Sequence, residues 1–290
     1  MWTPASLDDV PAITALQARN DVFWFGAAEQ DEDEVRQGLA LAEPLAQRSR
    51  LARSDDGTLV AAAWWLSPRD TVLVVEPEHP GRQRLLVEAV SWFEDSGATS
   101  LESLDRDAVL ERVLLDRGWH RHHSSYELLR PVSEDWRLEE PVWPAGIRVS
   151  GMGPDDPPVV HDLVYRRAGW AEVPGHGDRD LEQWRRIFVE AHLPEQQVLA
   201  WDGDQLVGAA IGKTFSDGTG WVAQLAVAQD RRRQGLGRAL LVTALARRVQ
   251  AGATRLGLGV SAANPQALRL YLDVGLLVDR EWRTYHRDAG

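Results

Sequence analysis

The same succession of local signals runs through this chain twice, about 150 residues apart, which commits it to two versions of one folding unit. Asp8-Asp9-Val10-Pro11 is echoed by Asp155-Asp156-Pro157-Pro158, each an acidic pair and proline opening a helix-like apolar pattern. Leu51-Ala52 with Leu59 to Ala63 is matched by Leu199-Ala200 with Leu206 to Ala210, two short apolar runs around an Asp- and Gly-containing turn, which predicts a β-hairpin in each copy. Gly97-Ala98-Thr99 recurs as Gly252-Ala253-Thr254, and Leu115-Asp116-Arg117-Gly118 parallels Leu272-Asp273-Val274-Gly275. Each copy reads helix, hairpin, strand, helix, strand, helix, strand, an α/β order with some antiparallel pairing. Residues 131–144, rich in Pro, Trp and acid without a clear period, read as the linker. The expected domains are 1–135 and 146–290.

The two copies differ in charge. Residues 1–144 hold 14 Arg against 27 Asp and Glu, whereas residues 145–290 hold 18 Lys and Arg against 17 acids. A polyanionic ligand is therefore expected in the second half, and neither nucleic acid nor an anionic membrane is an expected partner. No apolar run approaches the roughly 18 residues of a membrane span, and Met1 to Val10 has no signal-peptide pattern, so a cytoplasmic location is expected. The chain has no cysteine, which excludes disulfides, thiolate metal sites and a cysteine nucleophile.

The most informative stretch runs from Trp221 to Leu245. Val222, Leu225, Ala226 and Val227 suit a buried strand, and Leu236, Leu240, Leu241, Ala244 and Leu245 recur at helical spacing. Between them lies Arg231-Arg232-Arg233-Gln234-Gly235-Leu236-Gly237-Arg238. Glycine lets the backbone approach a ligand closely, and the first N–H groups of a helix lack internal partners, so this strand–loop–helix is a phosphate-binding arrangement. A Walker A loop would require Gly-Lys-Ser/Thr, and here Gly237 precedes Arg238; the Rossmann pattern is spoiled by Leu240.

These residues resemble motif A of the GNAT acetyltransferase superfamily, Arg/Gln-x-x-Gly-x-Gly/Ala, in Arg232-Arg233-Gln234-Gly235-Leu236-Gly237. The family's following motif, Asn-x-x-Ala-x-x-Leu-Tyr-x-x-x-Gly-Phe, is matched by Asn264, Ala267, Leu270, Tyr271 and Gly275, with Leu276 in place of Phe. The resemblance implies two tandem GNAT folds, each a mixed, mostly antiparallel sheet flanked by helices. It further implies acetyl-CoA as cosubstrate, with Leu225, Ala226 and Val227 along the pantetheine arm and Arg232, Arg233, Gln234, Gly235, Leu236, Gly237 and Arg238 around the phosphates. Tyr271 stands at the family's general-acid position, and Asn264 either assists the pantetheine or caps the next helix.

The implied activity is acetyl transfer from acetyl-CoA directly to a primary amine of a small molecule, as a monomer or homodimer. A non-catalytic CoA-binding regulatory module and acetylation of a protein or peptide amine are the alternatives. No base is identified: Gln224 cannot take a proton, and Glu172, His176 and Asp217 are candidates only by their place on loops. Trp170, Trp184 and Trp221 are either an acceptor wall or core. In the first copy the loop is Glu76-Pro77-Glu78-His79-Pro80-Gly81, three residues shorter, with each proline deleting an N–H, and a leucine replaces the tyrosine. That half is expected not to bind acetyl-CoA productively. His120, His122 and His123 read as an exposed strand rather than a metal site, and Asp31 to Glu34 as a solvated helix start.

Overall fold

The computed structural model describes residues 2–170, 179–190 and 194–287. By internal contact it divides into two compact units, residues 1–123 with 282–290, and residues 124–281.

The first unit contains β1 (Trp2–Thr3), α1 (Val10–Phe25), α2 (Glu32–Ala40), α3 (Leu45–Arg48), β2 (Ser49–Arg53), β3 (Leu59–Ser67), β4 (Asp70–Val75), α4 (Arg82–Asp95), β5 (Ser100–Leu104), α5 (Ala108–Asp116) and the start of β6 (His120–Pro131). Strands β1 to β4 form an antiparallel sheet in sequence order. Alternation along β3 sends Ala61 and Ala63 to a core with Leu86, Val90, Phe93 and Trp119, and Ala62 and Trp64 to a second core with Val10, Ile13 and Leu39. Each large side chain so buried contributes about 1.5–3 kcal/mol. The acidic run at Asp31 is a helix start with a reciprocal cap: the Glu34 N–H donates to Asp31 Oδ1 at 3.0 Å and the Asp31 N–H to Glu34 Oε2 at 3.4 Å.

The second unit contains most of β6, β7 (Ile147–Ser150), α6 (Pro157–Asp162), α7 (Leu181–Phe188), β8 (Val198–Asp202), β9 (Gln205–Thr214), β10 (Thr219–Val227), α8 (Leu236–Gln250), β11 (Arg255–Ser261), α9 (Pro265–Asp273) and the start of β12 (Leu277–His286). Its sheet runs β6-β11-β10-β9-β8-β7, antiparallel except for the β10–β11 pair. One face packs α8 and α9 through Leu240, Leu241, Leu258 and Tyr271; the other packs α6 and α7 through Val160, Leu163, Trp184 and Ile211.

Both expected hairpins are present, as β2–β3 and β8–β9. The division of the chain differs from the expected boundary at 131–144. Residues 125–131 of β6 pair antiparallel with β11 and so lie in the second unit, while Trp282–His286 of β12 pair with β5 and lie in the first. The segment read as a linker also belongs to the second unit's core, because Val132, Trp136, Leu138 and Trp143 pack against it. At the start of β6, the His122 ring stacks on His286 with centroids 3.8 Å apart.

Candidate active site

The site begins where two strands part. β10 pairs with β11 only from Thr219↔Arg255 to Val222↔Leu258, yet β10 stays with β9 as far as Val227↔Gly208, and β11 stays with β6 as far as Ser261↔Ser125. A register shift between Val222 and Gln224 bends β10 at the point of separation. Beyond it, Leu225 and Val227 face the α8 side, whereas Ala226 is buried on the α6 side. The three residues expected to line an extended ligand therefore border an open seam between strands.

At the end of β10 the chain turns into α8. Arg233 (φ 61°) and Gly235 (φ 85°) adopt left-handed backbone, a pattern that gathers successive N–H groups into an anion-binding concavity. Arg231 and Arg232 direct their N–H groups to Ala228 and Gln229 oxygens, and the helix ladder resumes when the Ala239 N–H donates to Gly235. The six N–H groups from Arg233 to Arg238 make no hydrogen bond among the described residues, and no side chain caps α8. The helix dipole adds partial positive charge there.

The loop arginines have different employments. Arg231 pairs with Asp202 at 2.6 Å, and Arg232 donates to the Ala168 carbonyl at 2.5 Å. Arg238, expected at the phosphates, instead grips Glu139 with both Nε and Nη2, the latter at 2.9 Å. That bond holds the Glu139 carboxyl below its usual range and lifts the guanidinium above its own. Arg233 has no partner among the described residues, and it and Gln234 are exposed. A cavity of about 310 Å³ lies beside this turn, walled by Glu139, Pro141, Trp143, Gly235, Arg238 and Val242.

Tyr271 sits on α9 with 7% of its surface exposed, in the cluster that includes Leu236 and Leu240 and against which Leu225 packs. Burial pushes its phenol well above the ordinary tyrosine value, so it stays protonated throughout the neutral range. Asn264 caps α9 by accepting the Ala267 N–H at 3.1 Å.

On the opposite face of the sheet, the Gln224 side chain accepts from Trp184 Nε1 at 2.8 Å, both residues being buried. Trp184 is thus core, and Trp170 packs at the edge of the same cluster. Trp221 lies over β11: a Cβ on Gly257 would meet its ring at 2.8 Å, so only glycine admits the indole there. Asp217 is at the far end of β10 and is held by Arg255 at 2.6 Å, which removes it from the seam. Glu172 and His176 lie outside the described residues.

The first unit's corresponding loop is built from other bonds. The His79 N–H donates to Glu76, the Arg82 N–H to His79, and the Gly81 N–H to His79 Nδ1 at 3.0 Å. The Arg82 guanidinium then forks onto Asp107, the cap of α5, at 3.0 and 2.6 Å.

Residues 162–276 match the model of the acetyltransferase (GNAT) family. Mycothiol acetyltransferase of Corynebacterium efficiens is 32% identical across 97% of this chain and 90% of its own length. The chain belongs to the GNAT acetyltransferase family. Mycothiol acetyltransferase of Kineococcus radiotolerans is 28% identical over 92% of this chain and 88% of that protein. Among solved structures, a GCN5-related N-acetyltransferase from Sphaerobacter thermophilus superposes with a TM-score of 0.79 at 21% identity, covering 99% of this chain and 95% of that one. A tandem GNAT protein from the clavulanic acid biosynthesis pathway superposes at 0.74 and 18% identity, covering 100% and 98%. The fold is therefore the tandem GNAT fold, and the protein is a GNAT-type acetyltransferase. Sequence reading missed one carboxylate that this GNAT chain brings beside the turn into α8: Glu139, from the supposed linker, which sits in no motif and is placed there only by long-range pairing.

Proposed function

We propose that the second unit takes acetyl-CoA in the seam between β10 and β11 and transfers its acetyl group to a primary amine of a small molecule. The observation that carries this reading is the run of six unengaged N–H groups directly at the end of that seam. The amides of residues 233–238 and the Arg233 guanidinium would hold the diphosphate, and the β10 edge from Leu225 to Val227 would guide the pantetheine arm. Acetyl-CoA supplies an activated thioester. An acceptor nitrogen attacking the carbonyl forms the C–N bond and sheds one N–H proton to water as the C–S bond breaks; Tyr271 gives its proton to the departing sulfur and recovers one from solvent. Asn264 fixes the start of α9 and with it the height of Tyr271.

The first unit lacks this equipment. Its loop spends the equivalent donors on itself, and Arg82 is tied to Asp107. One CoA per chain is the expected stoichiometry. A small-molecule acceptor is favoured by the relatives, which are named for a small thiol compound rather than for a protein.

Titration with CoA and thiol release from acetyl-CoA across a panel of amines test the reading. Binding at one site with amine-dependent release supports it. Binding without release would favour the regulatory module, and release only with peptides would favour a protein acceptor.

A further inference from the structure

The bend in β10 is gripped from both faces of the sheet by fully enclosed side chains. On the α8 face, Arg248 has no exposed surface; its Nε donates to the Trp221 carbonyl at 3.0 Å and its Nη1 to the Ala244 carbonyl at 2.8 Å. Trp221 stands immediately before Val222, where β10 and β11 last pair and where the register of β10 against β9 begins to shift. On the opposite face, Trp184 of α7, equally enclosed, donates from Nε1 to Gln224 Oε1 at 2.8 Å. Gln224 is the residue at which the shifted register resumes. The bulge thus lies between two buried hydrogen bonds, one from each helix layer, and a bulge is what re-aims a strand.

The Arg248 contact is not one that packing would choose. Among the described residues Arg248 pairs with no carboxylate, and its Nη2 has no acceptor. Burial, with Arg247 beside it, brings the guanidinium down to about 10, which leaves it charged at neutral pH. Two glycines make room for it: a Cβ on Gly220 would meet Arg248 Cβ at 2.8 Å, and one on Gly212, opposite Val222, would collide with the Trp221 carbonyl and with Nη2. Taking a charge and an unanswered donor out of water opposes folding, and a methionine would fill the same space without that penalty. Holding the Trp221 carbonyl is what the guanidinium does and methionine cannot.

Resting on the function proposed above, we infer that Arg248 and Trp184 are positioning residues for acetyl transfer: they fix the bend at which β10 leaves β11, and with it the place of the thioester relative to the incoming amine. Both act through β10, Arg248 on its backbone and Trp184 on Gln224, and not on the reacting atoms. The diphosphate would be held apart from them, at the turn of residues 233–238, so they bear on the reacting end of the coenzyme and not on its anchorage. A misplacement of reacting groups by about 1 Å costs on the order of 100-fold in rate.

The test uses the full chain as wild type, Arg248→Met, Arg248→Lys and Trp184→Phe, with acetyl-CoA and glycinamide as substrates and ADP as a probe that carries the diphosphate without the pantetheine arm. ADP affinity is expected to stay within about twofold in every variant, because the phosphate turn is untouched. For Arg248→Met and for Trp184→Phe, kcat falls about 20-fold or more, and Arg248→Lys, which keeps a donor for the Trp221 carbonyl, recovers part of it. Should Arg248→Met fail to fold, Trp184→Phe, which keeps a ring and loses only the N–H-bearing part of the indole, carries the same criterion. A kcat within about threefold of wild type in the folded variants overturns the inference. So does a fall in ADP affinity as large as the fall in kcat, which marks a general loosening of the unit. Wild type that binds ADP yet releases no thiol from acetyl-CoA with any amine overturns the transferase reading itself, a result separate from any of the variants, and the inference falls with it.

Discussion

Glu139 and Arg238, 99 residues apart, meet in a two-pronged ion pair at the first turn of α8, beside the amides that face the seam. A protein carboxylate therefore already occupies the guanidinium that motif reasoning gives to a phosphate. A bound phosphate would compete with Glu139 for that one fork.

Replacing Glu139 by Gln removes the competitor and one negative charge. CoA is expected to bind about three- to tenfold more tightly, with the gain diminishing at high ionic strength because both groups are exposed. Calorimetric titration at low and at about 0.5 M salt checks this. Weaker binding by the variant would mean that Glu139 orients Arg238 for the ligand rather than withholding it.

Gly235 and Gly237 are two residues apart and should respond oppositely to alanine. Gly235 is left-handed, and an added Cβ meets nothing within 4 Å, so its cost is purely conformational, about 1 kcal/mol. Relaxing that strain rotates the amides out of the concavity, so CoA affinity is expected to drop at least about tenfold. At Gly237 a Cβ makes an ordinary 3.6 Å contact with Leu270 within α8, where alanine is the better helix former. Its variant should be as stable as wild type or slightly more so by denaturant titration.

Tyr271→Phe keeps the packing and deletes the acid. CoA affinity should be unchanged while kcat falls about 100-fold. Because burial raises the phenol above its ordinary value of about 10, ionisation of Tyr271 cannot bring activity down below that pH. A wild-type rate profile falling with a tyrosine-dependent limb near pH 8 would contradict the role.

His286 gives the first unit an acid sensitivity. Burial, helped by His122, His123, Arg69 and His120, depresses its pKa from about 6.5 to about 4. Between those values the unfolded chain binds the proton and the folded one does not, so stability is full above pH 6.5 and declines as pH falls toward 4. Screening around the half-exposed ring holds the loss to about 1–2 kcal/mol. Since His286 pairs with Ser100, hydrogen exchange along β5 at pH 7 and pH 4.5 reads it directly, and His286→Gln should flatten the difference.

Much of this was legible in the residues. The repeated hairpins and the strand–loop–helix around Gly235 follow from local periodicity and turn chemistry, and the tyrosine on α9 from the family motif. The exchanged ends of β6 and β12 do not, because both are strands of similar pattern and the choice of neighbour is made by packing at long range. Trp136 and Trp143 escaped notice for a related reason: single aromatic residues spaced among prolines and acids have no period, although each buries a large surface.

The exchange also imposes an order of events on biosynthesis. Residues 282–286 are translated only after the whole of the second unit, yet they furnish the neighbour of β5 and place Tyr285 beside Phe93 and Trp119. Residues 1–123, translated earlier, must wait with an open sheet edge until that strand has been made, so the first unit cannot be completed before the second has been synthesised.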